Sequence, residues 1–232
     1  MSVPEDSLPS VGVVLPAAGS GLRMGGTTKA FLELDGKPLL AHALRPFLQD
    51  PRVVAIAVSL APREIEEIPG WIIDLDDRIT MVRGGATRTE SVRNALSILP
   101  MDLDVIAIHD AARPLVTSAT VKECIDLASA GTCAVAGCPV IDTVKVVDKE
   151  FQVLGTPDRD VLWHAHTPQA FPAELLFQAY ESERIGTDDA VLLESFDTCI
   201  RMVDDGGANI KVTRPADMAI ARAILQLQSI DA

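Results

Sequence analysis

Arg23 and Lys29 stand six residues apart in a stretch otherwise built from small residues, Pro16-Ala17-Ala18-Gly19-Ser20-Gly21, directly after the apolar run Val11–Leu15. A turn almost free of side chains lets backbone N–H groups approach a phosphate closely, and two cations beside it supply charge where a polyphosphate would lie. The run is neither the dinucleotide fingerprint G-x-G-x-x-G nor the Walker pattern G-x-x-x-x-G-K-[ST]. It reads as a polyphosphate-binding first loop whose two cations neutralise charge building on a phosphoryl group in its transition state.

Further groups with chemical potential follow. In Gly84-Gly85-Ala86-Thr87-Arg88-Thr89-Glu90-Ser91, Thr87 and Glu90 fit a capping box, while the glycine pair serves either turn geometry or backbone contact with a base or ribose. His109-Asp110-Ala111-Ala112-Arg113-Pro114 puts an acid and a base at a strand end. Asp110 and Arg113 form either a plain salt bridge or a pair in which Asp110 holds a hydroxyl or a metal and Arg113 an anion. His109 reads as structural rather than as a general base. Asp142-Thr143-Val144-Lys145 and Thr156-Pro157-Asp158-Arg159 lie at the two roots of a hairpin, where turn chemistry alone could explain them. Thr187-Asp188-Asp189 resembles a helix N-cap, and Lys211 sits in an apolar-flanked segment. No Gly-x-Ser-x-Gly elbow and no Ser, Cys or His constellation offers a covalent nucleophile. A substrate phosphate, with its second pKa near ~6, would need none.

The elements that must carry these loops alternate. Strand-like runs at Val11–Leu15, Val53–Ser59, Ile79–Val82, Val105–Ile108 and Cys133–Val140 enclose helical stretches at Leu39–Leu48, Thr89–Ile98 and Ala119–Ala130. That is the pattern of βαβ units in an α/β, Rossmann-like, doubly wound and mostly parallel sheet. Ligands of such sheets bind beyond the carboxyl ends of the strands, so the loops 16–29, 84–88 and 109–114 should open onto one crevice. After Pro139 the alternation stops, and Thr143–Val147 and Phe151–Leu154 read as a projecting β-hairpin arm at about residues 141–160. A hairpin without a core of its own calls for a partner surface, hence a homodimer. Helices near Pro172–Ser182, Asp188–Phe196 and Pro215–Gln226 and a strand at Ile200–Val203 complete one domain with an arm, spanning 1–232.

Composition narrows the function. The 232 residues are 48% hydrophobic but only 4% aromatic, so Val, Ile, Leu and Ala must build the core, as in buried parallel strands. A net charge of −13 argues against nucleic acid or an anionic membrane as partner, so any anionic substrate needs a local cluster of cations. No apolar run approaches the ~20 residues of a membrane span, and Met1–Ser10 is unlike a signal peptide. Cys124, Cys133, Cys138 and Cys199 form no C-x-x-C pair and no zinc pattern; Cys133 and Cys138, which bracket an apolar run, read as packing residues, and a reducing cytoplasm is the natural setting.

As an ordered series, Pro-Ala-Ala-Gly-Ser-Gly-x-Arg-Met with Lys29, Gly-Gly with Arg88 and Ser91, His-Asp-Ala-Ala-Arg-Pro, Asp-Thr-x-Lys, Thr-Pro-Gln, Thr-Asp-Asp and Asn-Ile-Lys-Val-Thr resembles the 2-C-methyl-D-erythritol 4-phosphate cytidylyltransferases of the non-mevalonate isoprenoid pathway. The resemblance implies cytidylyl transfer from CTP to methylerythritol phosphate with release of pyrophosphate, aided by Mg²⁺ held largely through the CTP phosphates. It assigns Arg23 and Lys29 to the α-phosphorus, and Arg159 and Lys211 to the attacking phosphate. Pro16, Ala17, Ala18, Gly19 and Gly85, with Ser91, would hold the nucleotide. Asp110, Arg113, Thr143, Thr167 and Thr187 would surround the sugar phosphate or the metal-bound triphosphate, with Asp110 a possible metal ligand. Thr143 and Arg159 would reach a neighbouring subunit's site from the arm. Ala86 departs from relatives with an acidic residue there, and the Arg23–Lys29 spacing is a residue shorter than in some. Two other readings share the scaffold: a ribitol-5-phosphate cytidylyltransferase and a non-catalytic nucleotide-binding protein.

Overall fold

The computed structural model describes residues 8–19, 29–182 and 184–230. In chain order the elements are β1 (Val11–Pro16), β2 (Glu33–Leu34), β3 (Lys37–Pro38), α1 (Leu39–Leu48), β4 (Val53–Leu60), α2 (Pro62–Glu66), α3 (Gly70–Ile73), β5 (Ile79–Arg83), α4 (Arg88–Leu96), β6 (Val105–Ile108) and α5 (Ser118–Ser129). Then follow β7 (Cys133–Pro139), β8 (Val146–Val147), β9 (Val153–Gly155), β10 (Trp163–Pro172), α6 (Ala173–Glu181), β11 (Ile200–Asp204) and α7 (Pro215–Ile230).

Among the described residues a seven-stranded sheet runs in the order β11-β7-β10-β6-β1-β4-β5. Its pairs are parallel except those of β10, which lies antiparallel between β6 and β7. Period-two alternation sends successive side chains to opposite faces. Val11, Val13 and Leu15 pack with α1 (Leu40, Leu44, Phe47) and α5 (Val121, Ile125), while Val14 joins α4 (Val92, Ala95) and α6 (Leu176, Ala179). Helices on both faces explain why these strands are apolar throughout.

Strands β1, β4, β5, β6 and β7 and helices α1, α4 and α5 fall where the hydrophobic pattern puts them, within a residue or two. One strand is not anticipated by the sequence pattern, and one expected helix needs correction. The segment around His166-Thr167-Pro168-Gln169 is the middle of a ten-residue central strand, β10, with Thr167 to Phe171 buried. A proline and mixed polarity argue against a central strand, and β10 accommodates them by slipping register against β7 between Ala165 and Gln169. The helix expected at Asp188–Phe196 is only a 3-10 turn at Ala190–Leu192. There Gln169 Oε1 accepts from the N–H groups of both Asp189 and Ala190 at 3.0 Å, and the Asp189 side chain turns inward. The small β2–β3 hairpin turns through Asp35 and Gly36, both at positive φ, as an Asp-Gly pair does in a tight hairpin.

The hairpin expected after Pro139 forms from β8 and β9. Ile141, Phe151, Val153, Leu154 and Val161, in and beside it, are exposed apolar side chains.

Candidate active site

β1, β5 and β6 end at one edge of the sheet, and the loops beyond them line a single cleft of about 570 Å³ with Lys211. Its wall includes Pro16, Ala17, Ala18, Gly19, Lys29, Gly85, Ser91 and Asp110. The first two loops are stitched to the strand between them: Ala17 N–H donates to Ser59 O at 2.8 Å and Gly84 N–H to Leu60 O at 2.7 Å. A Cβ on Gly84 would collide with the Ala18 methyl, so these loops touch only because position 84 lacks one. Glu90 fills the corresponding space above Gly85.

The capping box at the start of α4 is present. Glu90 N–H donates to Thr87 Oγ1 at 3.1 Å, and the Glu90 carboxylate accepts from the N–H groups of Thr87 and Ala86. Ser91 Oγ accepts from Gly85 N–H at 3.1 Å and donates to Thr87 O at 2.9 Å. Ser91 therefore fixes the shape of the loop that lines the cleft.

Asp110 is the one carboxylate among the lining residues. Its Oδ1 accepts from Arg88 Nε at 3.1 Å and its Oδ2 from Lys211 Nζ at 2.7 Å, with Arg113 Nε 3.9 Å away. Burial opposes ionisation of Asp110, but the charges of Arg88, Lys211 and Arg113 outweigh it and hold the carboxyl far below its ordinary range. Behind it Arg88 makes a two-pronged bond to fully buried Asp189, at 2.9 and 2.7 Å, and Tyr180 donates to Asp189 Oδ1 at 2.6 Å. Arg88 and Asp189 are 101 residues apart, and no spacing in the sequence signals their meeting. In the sequence Arg88 carries no signalled role of its own, and Asp189 reads only as part of a cap.

His109 is buried beside Phe47, and its hydrogen bonds fix its tautomer. Arg113 O, 3.0 Å from Nε2, can only accept, so Nε2 carries the proton and Nδ1 accepts from the Thr167 hydroxyl at 2.9 Å. Thr167 Oγ1 in turn accepts from Asp110 N–H at 3.0 Å. Burial pushes the His109 pKa down to about 4, and both ring nitrogens are engaged, so it is a neutral structural group. Thr167 stands behind the cleft wall and orients Asp110 through its backbone.

Lys211 is delivered by the strap 209–213. Val212 is buried with Leu34, Leu39 and Leu115, and its N–H donates to Ala112 O at 2.8 Å. Asn209 Nδ2 donates to Thr167 O, and Asn209 O accepts from the Arg113 guanidinium, both at 2.7 Å. Arg113 is thus buried behind Asp110, its Nε in ion-pair range of that carboxylate but without a hydrogen-bond partner.

The remaining expected residues lie apart. Arg159 is exposed beside the arm, donating to Ile141 O at 2.7 Å, and Thr143 and Thr187 are exposed; none of the three lines the cleft within one chain. Arg23 falls outside the described residues. For a hard cation the cleft offers Asp110, whose oxygens already face two cations. This fits a Mg²⁺ that binds mainly through substrate phosphates and waters rather than in a protein cage.

A cleft edged by bare backbone and lysines, at the carboxyl ends of a doubly wound sheet, is the site of an α/β protein that takes a phosphorylated ligand such as a nucleotide. The family model for 2-C-methyl-D-erythritol 4-phosphate cytidylyltransferase (IspD) matches residues 11–227. The enzyme of that name from Caldanaerobacter subterraneus subsp. tengcongensis is 36% identical over 94% of this chain and 99% of its own. The one from Acaryochloris marina is 40% identical over 92% and 93%. The crystal structure of the 4-diphosphocytidyl-2C-methyl-D-erythritol synthase of Anaerococcus prevotii superposes with a TM-score of 0.83 at 29% identity, covering 94% of this chain and 96% of that one. That of the Thermus thermophilus cytidylyltransferase gives 0.78 at 28%, covering 94% and 99%. The chain belongs to the 2-C-methyl-D-erythritol 4-phosphate cytidylyltransferase family, enzymes of isoprenoid biosynthesis. No helix among the described residues is long and apolar enough to cross a membrane.

Proposed function

We propose that the chain is a single nucleotidyltransferase domain with a dimerisation arm, working in the cytoplasm as a homodimer on CTP and methylerythritol phosphate. An oxygen of the acceptor's phosphate attacks the α-phosphorus of CTP, the bond from that phosphorus to the bridging oxygen breaks, and pyrophosphate leaves with its electron pair. The acceptor is already mostly dianionic at neutral pH, its second pKa being near ~6, so the protein supplies position and charge rather than a base.

Lys29, with Arg23, takes up charge at the α-phosphorus, while Lys211 and a neighbouring subunit's Arg159 hold the attacking phosphate. The backbone at 16–19 and at Gly85, in the loop that Ser91 fixes, cradles the nucleotide. Asp110 spaces Lys211 and the guanidinium of Arg88; Arg113 adds its charge behind Asp110, Thr187 and a neighbouring subunit's Thr143 border the acceptor, and Thr167 orients Asp110 from behind. Mg²⁺, held largely through the CTP phosphates, would neutralise part of the triphosphate charge, and Asp110 is the candidate protein ligand the cleft offers it.

The observation that carries this reading is the meeting of Lys29, Lys211, Asp110 and the bare backbone of two loops in one cleft of an otherwise acidic chain. For the arm, support comes from its exposed apolar side chains. The test is pyrophosphate release from CTP and Mg²⁺ with methylerythritol phosphate or ribitol 5-phosphate offered separately. Turnover with the first bears the reading out. A preference for the second moves the enzyme to polyol phosphates, and CTP binding with neither turned over makes it a nucleotide-binding protein.

A further inference from the structure

The register slip in β10 has a second product. From Ala165 to Gln169 β10 advances four residues, while its partners on β7 advance two, Gly137 to Val135. The extra residues bulge, and a bulge re-aims side chains. Thr167 turns to His109 and Asp110, whereas His166 turns to Asp205 beyond the end of β11, its Nδ1 lying 2.7 Å from Asp205 Oδ2. Cys138, near the end of β7, completes a group whose donor atoms all lie within 4.8 Å of one another. All three residues are half-buried and none lines the cleft, so the transfer chemistry leaves them unused.

The geometry points to a binding site for a borderline-soft divalent cation of the zinc class, formed by Cys138 Sγ, the His166 imidazole and an Asp205 oxygen. Thiolate, imidazole and carboxylate are the donors such ions take, while Mg²⁺ prefers oxygen alone. Bond lengths of about 2.0–2.3 Å set tetrahedral ligand atoms roughly 3.3–3.6 Å apart. To take the ion, the 2.7 Å contact opens and the thiol closes in, side-chain movements of about an ångström. Three protein ligands leave a fourth position for water.

The charges that act on Cys138 are the Asp204 and Asp205 carboxylates and the Arg113 guanidinium, a net negative surrounding that favours a cation. Asp205 is oriented from outside: its Oδ2 accepts from Asn209 Nδ2 and its Oδ1 from Gly207 N–H, both at 3.0 Å.

The test is a Co²⁺ titration of the chelator-treated, tag-free full chain, read by thiolate-to-cobalt charge-transfer absorption. The expected result is a band that saturates at a single equivalent, is displaced by Zn²⁺ and resists excess Mg²⁺. Cys138→Ser abolishes it, His166→Gln weakens binding about 10-fold or more, and Cys199→Ser, at an exposed thiol, leaves it unchanged. Circular dichroism confirms folding, and either cluster variant alone suffices for the test. A folded wild type without the band, a band that survives Cys138→Ser or His166→Gln at full strength, or one lost in Cys199→Ser overturns the site.

Discussion

Lys211 Nζ lies 2.7 Å from Asp110 Oδ2, joining a strap and a loop 101 residues apart in the chain. The lysine side chain is 41% exposed and the aspartate 10%, so the carboxylate is fixed and the ammonium reaches into the cleft. An ammonium has three donors, and Asp110 takes one. An arriving phosphate dianion therefore meets a lysine already aimed at it. Lys211→Ala should lower kcat/KM for methylerythritol phosphate by about 10²–10³-fold, the usual cost of losing one preorganised donor. The dissociation constant for CTP should move only a few-fold. Parallel losses in both would place Lys211 on the nucleotide instead.

Arg88 links stability to the site, because one guanidinium holds both Asp189 and Asp110. Burial disfavours its charge, yet Asp189 and Asp110 keep it more firmly protonated than a free arginine. Arg88→Met leaves Asp189 buried without its counter-charge and should cost about 3–5 kcal/mol in urea unfolding. Adding Asp189→Leu should restore most of that stability while kcat/KM stays low, since Asp110 still lacks its Arg88 bond. If the double variant recovers activity along with stability, Arg88 has no positioning role.

Much of this was legible in the sequence because the signals were local. Strand β1 into a small-residue loop, Thr87 with Glu90, and Asp110 at the end of β6 each show in a few consecutive residues. So do the two valine-bearing halves of the arm. What escaped depends on meetings across the chain. Arg88 and Asp189 pair over 101 residues, and Cys138, His166 and Asp205 come from three strands or their ends. β10 escaped because Thr167 and Pro168 break its hydrophobic pattern, and the Thr167 hydroxyl turns to His109 and Asp110 behind the site. The expected helix at 188–196 failed for a related reason: Asp189, read as a cap, is the buried end of the Arg88 network.

His109 should leave a mark on the pH dependence of stability. Its folded pKa of about 4 lies below the ordinary 6.5 because burial disfavours the charged ring. Between those values the unfolded chain binds a proton that the native one does not. Its contribution is therefore complete above 6.5 and lost as pH falls toward 4, amounting to about 3 kcal/mol over the window. Asp110, ionised throughout this range, adds its own loss only at lower pH. Urea unfolding at pH 7.5 and pH 5 should differ by about 2 kcal/mol more in the wild type than in His109→Gln. Equal differences would mean that other groups carry the slope.

The arm makes the sharpest demand on the proposed dimer. Arg159 is exposed, bonded to Ile141 O near the arm's root and outside its own cleft, whereas Lys29 lines it. If Arg159 serves the neighbouring subunit, a dimer pairing Lys29→Ala with Arg159→Ala has one site missing both residues and one site intact. Each homodimer lacks a catalytic cation in both sites: Lys29→Ala should lose kcat far more than CTP affinity, because its interaction grows at the transition state. Mixed, subunit-exchanged and purified as heterodimers, the two inactive variants should regain about half the wild-type rate per dimer, since one of two sites is whole. Had Arg159 acted within its own chain, every site in the heterodimer would lack one cation, and mixing would recover nothing.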